Sequence, residues 1–129
     1  MSSNLQAAEA YLSSSVENAP PIKIVRMLYQ GALRFIAQAE AEDAQDPRSK
    51  YIEHLSSADA IVAELRLALR PQEGAESISD NLGALYLFCE TELQRAMIER
   101  EKAALPGVTN VLRILLDAWT HVDVEARAA

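Results

Sequence analysis

The side chains able to act on a substrate are few, and their spacing limits what each could do. Two histidines, one cysteine, one tryptophan and four tyrosines form the inventory. A phosphoryl-accepting histidine on a helix is the first chemistry to weigh, since histidine phosphotransfer domains are helical bundles that present such a residue. His54 is the candidate, but Leu55, Ser56, Ser57 and Ala58 follow it, where a Lys and a Gly usually follow the acceptor. A di-metal bundle site needs inward Glu residues and Glu-x-x-His pairs, and neither His54 nor His121 has Glu three positions before it. Cys89 has no cysteine to pair with and no basic residue within a helical turn to lower its pKa, so it reads as a small buried hydrophobe. The tyrosines and Trp119 would stack bases only beside a basic groove. Neither a catalytic residue nor a metal or cofactor site is expected.

Composition closes further classes. A length of 129 residues, half of them hydrophobic and 24% charged, fits one domain with a single core. A net charge of −7 argues against nucleic acid and against an anionic membrane surface. No apolar run approaches the ~20 residues that span a bilayer. Met1 to Ala10 carries neither a basic stretch nor an apolar one, so no cleaved secretion signal is read there. A reducing cytoplasm is the simplest location.

The elements follow from apolar spacing. Pro21 suits a helix start, and Val25, Leu28, Ala32, Phe35 and Ala39 recur at i, i+3, i+4, i+7, predicting a first helix from about Pro21 to Asp43. Ile24, Met27 and Leu33 fall outside that stripe, and Gly31 sits mid-helix at a cost of roughly 1 kcal/mol relative to Ala. Asp46-Pro47 offers a cap and first-turn proline for a second helix with Tyr51, Leu55, Ala58, Val62, Leu65 and Leu69 on one face, ended by Pro71. Ser77-Ile78-Ser79-Asp80 resembles a capping box. A third helix has Leu82, Leu85, Cys89, Leu93 and Ala96 inward and ends near Ala104, with Pro106-Gly107 as the turn. The fourth carries Val108, Val111, Leu115, Ala118, Trp119 and Val122, with Trp119 as a core plug at the bundle's end and His121 near the helix C-terminus. The first three run about 22–24 residues, or ~33–36 Å, and the fourth is slightly shorter. Short loops make neighbours antiparallel, so an all-α, up-down-up-down four-helix bundle is predicted over 20–129. Residues 1–19 are polar and Ser-rich but carry Leu5, Tyr11, Leu12 and Val16; they read as a flexible tail or as a segment that packs on the bundle. The first helix also has Lys23 and Arg26 at its start and Glu40, Glu42 and Asp43 at its end, opposite to what the helix dipole favours.

With the elements placed, the chain resembles the flagellar secretion chaperone family (FliS). The likeness rests on Ala10-Tyr11 with Val16, and on Ala19, Pro21 and Lys23 leading to Met27-Leu28-Tyr29-Gln30-Gly31 and Phe35-Ile36. It continues through Ala58 with Ile61-Val62-Ala63-Glu64-Leu65, and through Ser79-Asp80-Asn81-Leu82-Gly83-Ala84-Leu85-Tyr86, and closes on Trp119. Pro20, Ile22 and Pro106-Gly107-Val108-Thr109 depart from the family's pattern. The resemblance implies a cytosolic export chaperone, not an enzyme. Such a chaperone binds the disordered C-terminal segment of flagellin, blocks premature polymerisation and assists delivery to the flagellar type III export apparatus. It also implies an N-terminal segment that covers part of the binding surface in the free protein.

The residues fit such a mechanism, because three helices carry more apolar surface than one stripe each, and exposed apolar patches mark interaction surfaces. Ile24, Leu28, Gly31, Ala60, Ala63 and Leu67, with Leu87 and Phe88, are the candidates for grooves that take an amphipathic partner. Tyr11 and Val16 would compete with cargo. The rival for each apolar residue is plain core. The alternatives at this stage are a phosphotransfer bundle using His54, or a generic helical adaptor whose surplus apolar surface a second copy covers as a homodimer.

Overall fold

The computed structural model describes residues 22–69 and 78–128, with side chains over 22–69 and 79–121. Four helices follow one another, α1 (Ile22–Glu40), α2 (Tyr51–Leu67), α3 (Ile78–Glu99) and α4 (Leu105–Ala128), with no strand among the described residues. Each of α1 and α3 packs against both α2 and α4, which closes a ring of four antiparallel helices. The all-α four-helix bundle expected from periodicity is what forms. The predicted boundary between residues 1–19 and 20–129 lies outside the described residues.

The buried stripe of α1 is Val25, Tyr29, Ala32, Ile36 and Ala39, and that of α3 is Leu82, Tyr86, Cys89, Leu93 and Ala96. Leu28, Phe35 and Leu85, expected inward, pack only part-buried at the flanks. Their neighbours Tyr29, Ile36 and Tyr86 take the centre. In α2 the expected face holds, with Tyr51, Leu55, Ala58, Val62 and Leu65 buried and Leu69 partly so. In α4 Leu105, Val108, Leu112, Leu115 and Trp119 are buried, while Val111 is flanking. Trp119 is the core residue the spacing predicted; the side chain of Val122 lies outside the described residues.

Helix ends depart from the sequence expectation for local reasons. α1 is 19 residues and α2 is 17. Asp43 and Asp46 stop the first helix and delay the second by accepting backbone N–H groups two residues on, from Gln45 at 3.0 Å and from Arg48 at 2.9 Å. These Asx turns offer the backbone an alternative to helix. Asp46-Pro47 is therefore a turn rather than a cap, and α2 begins at Tyr51. α3 stops at Glu99 because Arg100 adopts φ 52°, the left-handed conformation that closes a helix. Pro106 and Gly107, expected as the turn, fall in the first turn of α4, where a proline's missing N–H costs nothing. α4 runs 24 residues, the longest of the four, so His121 sits well before its end rather than in the last turn. The proposed capping box starts at Ser77, outside the described residues, as does Pro71.

The reversed charge on α1 finds its account here. Lys102, from the α3–α4 turn, donates through Nζ to the Glu40 carbonyl at 2.9 Å, placing a cation at the α1 C-terminus from another part of the chain. Arg100 Nη1 donates to the Ala44 carbonyl at 2.9 Å, and Gln45 Nε2 returns a bond to the Arg100 carbonyl at 2.7 Å. Tyr51 Oη donates at 3.1 Å towards both the Ala96 and Glu101 carbonyls. The two turns at this end of the bundle are thereby fastened together.

Candidate partner-binding cleft

At the opposite end, where α1 begins and α2 finishes, the helices leave an apolar cleft of about 70 Å³. α1 supplies Ile24, Val25 and Leu28; α2 and its exit supply Glu64, Leu65, Ala68 and Leu69; Tyr86 and Trp119 form the remaining wall. Ile24 and Val25 each line it with Leu28 because Leu28 lies one helical turn further along α1.

The cleft wall is held by a buried polar contact among aromatic side chains. Trp119 Nε1–H donates to the Tyr29 hydroxyl at 3.1 Å, and the Tyr29 and Tyr86 hydroxyls hydrogen-bond each other. The Tyr29 and Tyr86 rings lie 6.3 Å apart, tilted by 52°. Since α1 and α3 are diagonal in the ring of helices, these two phenols reach across the centre. Burial, with Tyr86 acting in the same direction, pushes the Tyr29 hydroxyl well above the ordinary tyrosine pKa. It stays a neutral hydrogen-bonding group through the physiological range.

The α2–α3 seam is polar along its flank. Arg66 grips Glu90 with Nε to Oε2 at 2.5 Å and Nη2 to Oε1 at 3.2 Å; Gln94 donates to Asp59 at 3.3 Å, and Ser56 Oγ to Met97 Sδ at 3.4 Å. Burial raises the Asp59 carboxyl pKa above its usual value, against the Gln94 bond that lowers it. This two-pronged grip fixes the register of α2 on α3 at the edge of the apolar core.

The sequence candidates separate on inspection. Ile24 and Leu28 come together in the cleft. Gly31 is buried in the α1–α2 seam, where an added Cβ would lie 3.3 Å from Ile61 Cδ1. It sets the approach of the two helices rather than offering surface. Ala60 and Leu67 are exposed and Ala63 is half-buried. Helical spacing puts these three on one strip of α2 turned from the core, with Leu67 73% exposed. Leu87 and Phe88 are exposed on α3, apart from the cleft lining. Tyr11 and Val16 lie outside the described residues.

Sequence reasoning did not assign Glu64, Ala68, Leu69, Tyr86 or Trp119 to a site. Trp119 read as a core plug, and it is buried, yet it also faces the cleft. The available signal was that the ends of the first two helices and the Trp of the fourth had to meet at one end of an antiparallel bundle. Exposed Met27, Ile98 and Ile114 add apolar surface beyond the candidates.

Among the described residues the reactive side chains do not assemble. The His54 ring stacks on Phe35 at 6.3 Å, its Nε2 lies 3.9 Å from Glu42 Oε1, and its side chain is only 20% exposed. A phosphoryl donor would meet a carboxylate at that nitrogen. Cys89 is buried, and desolvation pushes its thiol up to about 12. Among the described residues no three His, Cys, Asp or Glu converge as a metal site. No described helix is long and apolar enough to cross a membrane.

Fold and cleft together define a four-helix bundle with an apolar end cleft and apolar side chains exposed on its flanks. The chain belongs to the Flagellar protein FliS family, whose sequence pattern matches residues 3–126. It is 31% identical to the flagellar secretion chaperone FliS of Bacillus subtilis over 110 residues, covering 85% of this chain and 80% of that one. It is 30% identical to that of Vibrio cholerae over 126 residues, covering 97% and 92%. The flagellar secretion chaperone FliS of Campylobacter jejuni is 31% identical over 122 residues, covering 95% and 94%. A role as a flagellar secretion chaperone follows from this membership.

Proposed function

We propose that this chaperone binds the disordered C-terminal segment of flagellin, keeps it from polymerising early and assists its delivery to the flagellar type III export apparatus. The observation that carries the reading is the apolar cleft between Ile24, Leu28, Leu65 and Leu69, backed by Trp119. A segment that becomes partly helical on binding seats apolar side chains at i, i+3 or i+4 in such a cleft. Further turns then lie along Ala60, Ala63 and Leu67 on α2 and along Leu87 and Phe88 on α3. Ordering the segment consumes part of the interaction free energy, which keeps the complex releasable at the export gate. In the free protein Tyr11 and Val16 occupy the same apolar surface and rearrange when cargo arrives. The work is done in the cytosol, where cargo and export apparatus meet.

Titration of the full chain with a flagellin C-terminal peptide tests this, read by calorimetry and by the emission of Trp119, the chain's one tryptophan. Saturable binding with a shift in that emission is expected, together with delayed flagellin polymerisation in light scattering. Absence of heat and of any emission change would remove flagellin as the cargo. Tyr11→Ala changes the peptide affinity if the N-terminal segment competes; an unchanged affinity takes that segment out of the mechanism.

A further inference from the structure

Glu64 is the formally charged residue among the described residues lining the cleft, whose other walls are aliphatic or aromatic. It stands on the fourth turn of α2, one turn before Ala68 and beside Leu65, and it is exposed at the rim. Among the described residues no hydrogen bond or ion pair engages its carboxylate, and it is the one glutamate among them that lines the cleft. An unengaged carboxylate at the edge of an apolar cleft sits next to low-dielectric walls, where a charge on the occupant is felt more strongly than in open water.

We infer that Glu64 is a specificity-determining residue: the segment seated in the cleft carries a lysine or arginine about one helical turn from the apolar side chain it buries there. This rests on the reading of the cleft as the cargo site and adds the charge rule by which it selects. An apolar anchor alone fits many sequences, while a cation at fixed spacing pairs with Glu64 and an anion there is repelled. The chain's net charge of −7 acts in the same sense, drawing basic segments to it over a longer range.

The test is a charge scan of the flagellin C-terminal peptide against the full-length protein and its Glu64→Gln variant. Each Lys or Arg of the peptide is replaced singly by norleucine or citrulline, and affinity is read by calorimetry and Trp119 emission. One cargo position is expected to lose about two- to fivefold in affinity on neutralisation with wild type and to lose nothing with Glu64→Gln. That difference should shrink as salt is raised. Glu64→Lys should recover affinity for a peptide with Glu at the same position. If Glu64→Gln binds the parent peptide as tightly as wild type, the inference is overturned while the cleft remains the cargo site. If neither protein binds any peptide, both readings fall. If sedimentation shows a dimer that Glu64→Gln dissolves, the cleft's occupant is a second copy and the cargo rule is overturned.

Discussion

Trp119 on α4 donates its indole N–H to the Tyr29 hydroxyl on α1 at 3.1 Å, joining residues 90 positions apart in the chain. Tyr86 of α3 completes the contact from the other side. Three helices thus meet at one phenolic oxygen, and its two partners, Tyr86 and Trp119, both line the apolar cleft.

Tyr29→Phe keeps the ring and removes the oxygen, leaving the Trp119 N–H and the Tyr86 hydroxyl without this partner. A loss of about 1–3 kcal/mol is expected, seen as a lower urea midpoint at unchanged slope. Trp119 emission should change in the native state as well. An unaltered midpoint would mean the three groups do not depend on one another.

Cys89 gives a signed pH dependence. Its thiol, ordinarily near 9.0, is held to about 12 by burial. The unfolded chain therefore loses this proton first as pH rises. Stability due to Cys89 is complete below pH 9 and drains away towards 12. Urea midpoints should fall between pH 8.5 and about 10 in wild type and fall less in Cys89→Ala. Tyr29, whose pKa is also raised, keeps a slope above about pH 10 in both proteins. Parallel curves for the two proteins below pH 10 would contradict the burial of the thiol.

Arg100 inverts the usual ranking of alanine and glycine. Its φ of 52° suits glycine, and its guanidinium bonds the Ala44 carbonyl. Arg100→Ala loses the bond and keeps the backbone strain; Arg100→Gly loses the bond and relieves the strain. The glycine variant should be the more stable of the two by about 1 kcal/mol, measurable as melting temperature.

Gly31 tests the α1–α2 approach. Alanine gains about 1 kcal/mol of helix propensity but meets Ile61 Cδ1 at 3.3 Å. In an Ile61→Val background that carbon is gone, so Gly31→Ala should stabilise more there than in wild type. The coupling is read from a double-mutant cycle of unfolding free energies. Additive effects would show that the two helices are free to separate slightly.

Leu67 separates surface from core. At 73% exposure, Leu67→Glu should leave the unfolding midpoint within about 0.5 kcal/mol of wild type. Its affinity for the flagellin segment should fall by about fivefold or more, read by calorimetry. Full affinity with an intact fold would take the outer strip of α2 out of the binding surface.

Much of the architecture was legible in one dimension. Tyr51, Leu55, Ala58, Val62 and Leu65 repeat at helical spacing, and burial of a stripe is a local consequence of 3.6 residues per turn. The surplus apolar residues Ile24, Leu67, Leu87 and Phe88 were visible for the same reason, and all four remain exposed. Tyr29 and Tyr86 were not. Burying a hydroxyl is unfavourable without a partner, and the partners of Tyr29 lie 57 and 90 residues away, a separation that periodicity does not register. The cation that caps α1 was hidden likewise, because Lys102 reaches Glu40 only after the chain has turned back on itself.

The sequence by itself determined four amphipathic helices, their antiparallel order and an acidic net charge, since each depends on residue type and short-range spacing. Tertiary structure alone decided where those helices start and stop, and which of two adjacent apolar positions faces inward. It also decided that Ile24, Leu28, Glu64 and Trp119 line one cleft. Such facts arise from groups distant in the chain meeting at a single place, where mutual hydrogen bonding and exclusion of water override the local preference of each.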